Sequence, residues 1–245
     1  MNYNKEMVIK MTRPYIICHM VTSIDGKVTG NFLNNDFIST GIEKYYDLNR
    51  SFAADAFLCG RITMEGSFTN GYYPDLTKYQ NIKVAKCDYI ARNDAKLYAV
   101  ACDRKGRLGW KNSTIIDDDP GYGGAHIIEV LTEEVNDEYL AYLQEINVSY
   151  IFAGKSELDL LLAMEKLHSL FNIRKLLLEG GSLINGAFLN ANLVDEISIV
   201  MVPATADKDS KSLFNDGLMQ KYRLINCEKD DNNNVYLNYK LEEER

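Results

Sequence analysis

Residues 175–195, KLLLEGGSLINGAFLNANLVD, constrain the fold more than any other stretch. Leu176, Leu177 and Leu178 form a continuous apolar run, the pattern of a strand covered on both faces. Glu179-Gly180-Gly181 stops the run, Ser182 stands where a helix cap is expected, and Leu183, Ile184, Ala187, Phe188 and Ala191 recur at helical spacing. The reading is buried strand, glycine turn, helix. Such a turn brings backbone N–H groups and the positive end of a helix to the carboxyl edge of a sheet, and two glycines leave room for a ligand against the main chain. From the glycines alone two readings stand level: an anionic cofactor site, or a tight turn without a ligand.

The rest of the chain repeats the alternation. Residues 15–21 read as a first strand, ending in the turn Thr22-Ser23-Ile24-Asp25-Gly26-Lys27. Thr40 and Glu43 have capping-box spacing before a helix with Tyr45, Leu48, Phe52 and Ala53 on its apolar side. Residues 56–59 form a second buried strand, followed at once by Gly60-Arg61-Ile62-Thr63. Further strands are expected at 87–91, 97–102, 126–131, 148–153 and 197–202, the last stopped by Pro203. Helices are expected at 132–145 and after a cap at Ser156, and residues 222–227 and 235–241 pair as a terminal hairpin. Strands alternating with helices imply an α/β fold with a mostly parallel sheet and helices on both faces. With no repeat or linker, residues 1–245 read as a single domain.

Charge and cysteine use exclude several function classes. A formal net charge of −8 without a basic stripe argues against nucleic acid or an anionic membrane as partner. The five cysteines lack metal-ligand spacing, and Cys18, Cys59 and Cys102 sit in or beside apolar runs, as buried free thiols do. Asp117-Asp118-Asp119-Pro120-Gly121 reads as a solvated turn, so no metal is expected. Neither a signal-peptide core nor a long apolar segment is visible, and the expected location is cytoplasmic.

In a parallel sheet, ligands bind where the carboxyl ends of strands cluster. The loops after Val21, Cys59 and Leu178 share that edge. Gly60 permits close backbone approach, Thr63 offers a hydroxyl at a helix start, and Arg61 carries a fork suited to phosphate. Paired with Gly180 and Gly181, they form a two-ended grip on a dinucleotide, although no G-x-G-x-x-G follows a strand.

Three stretches together resemble a known family. RPYIICHMVTSIDGKV (13–28), DAFLCGRITM (55–64) and LLLEGGSLINGAFLNANLVDEISIVMVP (176–203) are similar to the reductase domain of bifunctional riboflavin biosynthesis proteins, within the dihydrofolate-reductase-like superfamily. The resemblance implies a three-layer fold with a mixed, mostly parallel sheet and a C-terminal antiparallel hairpin. It also implies NADPH as cofactor, a small-molecule substrate and a homodimer. Its cofactor contacts carry over onto Gly60 and Thr63, and onto Gly181, Ser182, Leu183, Ile184, Asn185, Gly186 and Ala187. Arg61 matches an arginine beside the cofactor phosphates, Glu179 a glutamate facing the substrate's pyrimidine ring, and Asp25 the aspartate of an S-x-D-G-K turn. Without the family, Asp25-Gly26 is a favourable turn pair.

The departures fall on the substrate side. His19 stands where the family has a lysine, Ser51 where it has an arginine holding the substrate phosphate, and GSFTNGYYPDL (66–76) replaces a D-P-x-L-T-x-R stretch. No deaminase signature is present. His19 reads equally as a satisfied core residue and as a proton source for hydride addition to C=O or C=N. The expected activity is NADPH-dependent hydride transfer to a small heterocyclic or carbonyl substrate lying between the first strand and the Glu179 turn. Glu179, Asp25 and His19 are the expected catalytic residues. Poor use of a phosphorylated pyrimidine is expected, with Tyr72 and Tyr73 covering the substrate ring, unless the basic loop 104–107 restores the missing charge. The rival reading is a nucleotide-binding protein of the same fold without turnover.

Overall fold

A computed structural model describes residues 12–242. Its strands are β1 (Tyr15–Thr22), β2 (Ala56–Gly60), β3 (Tyr98–Cys102), β4 (His126–Leu131), β5 (Ser149–Phe152), β6 (Lys175–Leu178), β7 (Glu196–Met201), β8 (Tyr222–Lys229) and β9 (Val235–Leu241). They form one sheet in the order β5-β4-β3-β2-β6-β1-β7-β9-β8. Pairings from β5 across to β7 are parallel. The β8–β9 hairpin adds an antiparallel edge, with β9 on β7. This is the mixed, mostly parallel sheet expected from the sequence. No helix of the described residues is long and apolar enough to cross a membrane.

Among the described residues five α-helices complete the layers: α1 (Ser39–Ser51), α2 (Arg61–Met64), α3 (Asp137–Glu145), α4 (Leu160–Phe171) and α5 (Ser182–Asn190). The period-two alternation of strand side chains sorts the core into two faces. Ile16, Cys18, Leu58, Val100, Ile128, Leu176 and Leu178 pack with α4 and α5 residues such as Leu167 and Phe188. Ile17, Phe57, Cys59, Ala99, Ile127 and Leu177 pack with Tyr139, Leu140 and Leu143 of α3. Helix α1 lies on this second face, where Ile42, Tyr45 and Leu48 meet Val21 and Val200.

Several local expectations are corrected. Thr40 does not cap α1; the helix begins at Ser39, and Thr40 Oγ1 accepts a hydrogen bond from Asn234 Nδ2 (3.1 Å) beside the hairpin turn. The third helix begins at Asp137, not Thr132, because Asn136 caps it through Tyr139 N (2.9 Å). Asp159, not Ser156, caps α4 through Leu162 N (2.9 Å). Asn, Asp and Ser cap about equally well, so residue type alone does not choose among neighbouring candidates. Residues 87–91 form no strand: Tyr89 makes one isolated bridge to Tyr150, and the Asp88 carboxylate, rather than a carbonyl, receives Phe152 N (2.8 Å).

Helix α5 also turns a different face inward. Leu183, Ala187 and Ala191 are exposed, while Ser182, Asn185, Gly186, Phe188 and Leu189 are buried. The cause is the segment after β7. Asn185 Nδ2 donates to Leu213 O (3.2 Å), Ser182 Oγ donates to Ser212 O, and a Cβ at Gly186 would stand 1.8 Å from Asn215 O. Ser182 is therefore inside the helix, and Gly181 is the residue that flanks it.

Candidate active site

Strands β2 and β6 are direct neighbours, so the turns at their carboxyl ends meet. Gly60 N donates to Gly180 O at 2.8 Å, tying the start of α2 to the turn before α5. Gly180 has φ +95°, a conformation that L side chains rarely adopt, and its peptide bond to Gly181 is cis. Gly181 has an ordinary φ of −73°; a Cβ there would face Thr63 Oγ1 at 3.3 Å. Neither α2 nor α5 has a side-chain cap or an acidic residue in its first turn. Gly60, Thr63, Gly180, Gly181, Ser182, Leu183, Ile184 and Asn185 are thus gathered around one junction.

Alternation decides where Glu179 points. One residue beyond β6 and two beyond Leu177, it projects to the face covered by α1, as Cys59 does beside it on β2. Tyr45, Tyr46, Cys59, Thr63, Phe68, Asp117, Asp119, Tyr122 and Glu179, with Ser67, line a cavity of about 470 Å³ there. The Glu179 carboxylate accepts from Asn49 Nδ2 at 2.7 Å, and the same amide lies 3.3 Å from the Tyr122 hydroxyl. Burial pushes the Glu179 carboxyl up to about 7, against the Asn49 amide and the nearby Tyr45 and Tyr122 hydroxyls, which favour its charged form. A carboxyl poised there holds or releases a proton at neutral pH.

The other expected catalytic residues lie elsewhere. His19 is fully buried, stacked on Tyr45 with ring centroids 4.3 Å apart. Its Nε2 is 3.0 Å from Tyr45 O and its Nδ1 is 3.0 Å from Ser198 Oγ. A carbonyl only accepts, so Nε2 carries the proton and Nδ1 receives the serine hydroxyl. Burial holds the imidazole neutral, with its pKa lowered to about 4. The ring lies behind Tyr45, outside the cavity lining. Asp25 is exposed and staples its turn to the segment after β7, accepting from Ser23 Oγ (2.7 Å) and Ala206 N (3.1 Å). The cavity therefore opens between α1, the 117–122 loop and the β2 and β6 ends, not against β1.

Arg61 pairs with Glu65 (2.7 Å) and lines a second hollow with Asp103, Arg104, Lys105 and Arg107, at the end of β3. The basic loop thus joins Arg61 and does not line the Glu179 cavity. Tyr72 and Tyr73 do not cover that cavity either. Tyr72 packs on the loop after β3, where a Cβ at Gly109 would stand 1.9 Å from its carbonyl, and Tyr73 lies near Asp103 and Arg107. The aromatic walls are Tyr45, Tyr46, Tyr122 and Phe68. Tyr45 and Asn49 are four apart on one helix, a spacing visible in sequence, but their partner Glu179 is 130 residues from Asn49. Among the described residues no cluster of potential metal ligands is present.

A family model described as "RibD C-terminal domain" matches residues 14–236. The 2,5-diamino-6-ribosylamino-4(3H)-pyrimidinone 5′-phosphate reductase of Methanothermobacter thermautotrophicus is 26% identical over 203 residues, 82% of this chain and 83% of its own. A crystal structure of a pyrimidine reductase-like protein from Corynebacterium diphtheriae superposes with a TM-score of 0.68 at 19% identity, covering 94% of this chain and 93% of its own. Acinetobacter baumannii RibD superposes with a TM-score of 0.65 at 17% identity, covering 95% of this chain. This chain spans only 59% of that longer protein. The two superpositions agree on the fold.

Proposed function

The chain belongs to the RibD C-terminal domain family, and on that premise we propose that it is an NADPH-dependent reductase of the riboflavin-biosynthesis type. Its substrate is a small heterocycle of pyrimidine type held against Glu179. The observation that carries this reading is a buried carboxyl, raised to about 7, in an aromatic cavity beside two uncapped helix starts.

The residues present fit a dinucleotide. The first N–H groups of α5 lack side-chain partners, and the first turn of the helix carries no acidic residue. Gly181 supplies the space opposite Thr63, and exposed Leu183 offers an apolar surface at the same helix start. Arg61, Arg104, Lys105 and Arg107 converge at the neighbouring strand end, and Arg107 makes no ion pair among the described residues. NADPH supplies the hydride in this reading. The protein's part is positioning, exclusion of water and proton management. Glu179 orients the ring and holds the proton that must accompany hydride addition, and Asn49 fixes the carboxyl. His19 supports Tyr45 from behind, and Asp25 holds the loop after β1.

NADPH oxidation in the presence of diaminopyrimidinones and related heterocycles tests this assignment; saturable turnover is expected. Binding of NADPH without turnover of any of them would favour a nucleotide-binding protein of the same fold. The basic hollow also predicts cofactor choice. NADPH is expected to bind about tenfold to a hundredfold more tightly than NADH, as a charge-assisted contact to the 2′-phosphate provides. Arg61→Ala is expected to remove most of that preference in a binding titration. Equal affinities in the parent protein would contradict it.

A further inference from the structure

The charges around the Glu179 cavity say more about its ligand than the aromatic lining does. Asp117 and Asp119 stand in its wall together with Glu179, and among the described residues no lysine or arginine lines it. The neighbouring cation, Arg50, is held by Asp119 and by Asp47 (2.5 Å). Ser51, the next residue, is exposed and donates to Leu48 O (2.7 Å). A second cation, Lys96, lies with Arg50 in a separate hollow beyond Asn49. Asn49, which lines that hollow and donates to Glu179, packs on Gly121, where a Cβ would stand 2.4 Å from Asn49 Oδ1.

Resting on the reductase reading above, we propose that this cavity takes an amino-substituted heterocycle that carries no phosphate and is neutral or cationic. A phosphate dianion brought here meets Asp117, Glu179 and Asp119, and the Arg50 guanidinium is already engaged by Asp119 and Asp47, so the phosphate loses hydration without gaining a charge-assisted partner. Exocyclic amino groups find the opposite environment. Glu179, Asp117 and Asp119 are acceptors, and Tyr45, Tyr46, Tyr122 and Phe68 provide flat apolar surface for the ring. A protonated ring gains further from the same carboxylates.

The test compares two ligands that differ only in the group at issue: 2,5-diamino-6-ribosylamino-4(3H)-pyrimidinone and its 5′-phosphate. Each is titrated calorimetrically into the protein loaded with NADP+, which has no hydride to transfer to either ligand. The nucleoside is expected to bind at least about tenfold more tightly. In Asp119→Asn, which keeps an acceptor for Gly121 N but removes one carboxylate from the wall and one of Arg50's two carboxylate partners, the margin is expected to narrow or reverse through tighter phosphate binding. Equal or tighter binding of the phosphate by the parent protein overturns the proposal, as does a margin unmoved in Asp119→Asn, and as does failure of both ligands to bind. The reductase reading is judged separately in the NADPH titration that precedes these. NADPH binding alongside a preference for the phosphate overturns only the present inference, whereas a protein that does not bind NADPH loses the reductase reading itself.

Discussion

Glu179→Gln is expected to fold more stably than the parent protein at pH 8 and to turn over about 10²–10⁴ times more slowly. The stability gain follows from linkage. The carboxyl titrates near 7 in the folded protein, against a usual value of 4.5. Between those values the folded state binds more protons than the unfolded state, so stability falls as pH rises through this window. Above about pH 7 the parent protein carries the full penalty, on the order of 3 kcal/mol, and the neutral amide escapes it. Below about pH 4.5 both states of the parent are protonated and the advantage disappears. The rate loss follows because an amide has no acidic proton to deliver. In the parent, kcat is expected to fall as pH rises through about 7, and in the variant this limb is expected to be flat. Denaturant melts at pH 5 and pH 8, with a pH–rate profile, check both halves. A variant less stable than the parent at pH 8 would show that the Asn49–Glu179 contact outweighs the desolvation of the charge.

Gly181→Val is expected to lose NADPH affinity by roughly a hundredfold or more, about 2.7 kcal/mol, while keeping its fold. The backbone at Gly181 has φ −73° and ψ −170°, which a side chain tolerates. Its Cβ would meet only Thr63 Oγ1, at 3.3 Å. The missing side chain is therefore needed for the space between the α2 and α5 starts rather than for a backbone angle. Gly180, with φ +95°, is the residue whose conformation itself favours glycine. A folded Gly181→Val protein, judged by circular dichroism, that binds NADPH like the parent would show that the nucleotide does not pass this junction.

Much of the scaffold was legible because local pattern and tertiary fate agree there. The run Leu176–Leu178 is buried on both faces, as a continuous apolar strand should be, and Cys18, Cys59 and Cys102 are buried free thiols. The glycine turns after β2 and β6 meet because those strands are neighbours. The failures arise where distant chain competes with local pattern. Helix α5 buries Ser182, Asn185 and Gly186 instead of Leu183 and Ala187, because the segment after β7 covers that side and satisfies two of the polar groups. Tyr45 looked like core and Asp119 like solvated turn. Each is also cavity wall, a role created only when α1 and the 117–122 loop close over Glu179. His19 carried two equal readings in sequence, and its environment of Tyr45, Phe52 and Ser198 appears only in the folded chain.

The central claim is that hydride passes from a reduced nicotinamide to a heterocycle at Glu179. Its most direct test is a turnover with NADPH deuterated at the transferring position of the nicotinamide, followed by mass spectrometry of the product. The account predicts one deuterium in the product, retained on exchange into ordinary water, and a strongly reduced yield of labelled product with Glu179→Gln. NADPH that binds but transfers no deuterium to any heterocyclic substrate would contradict it.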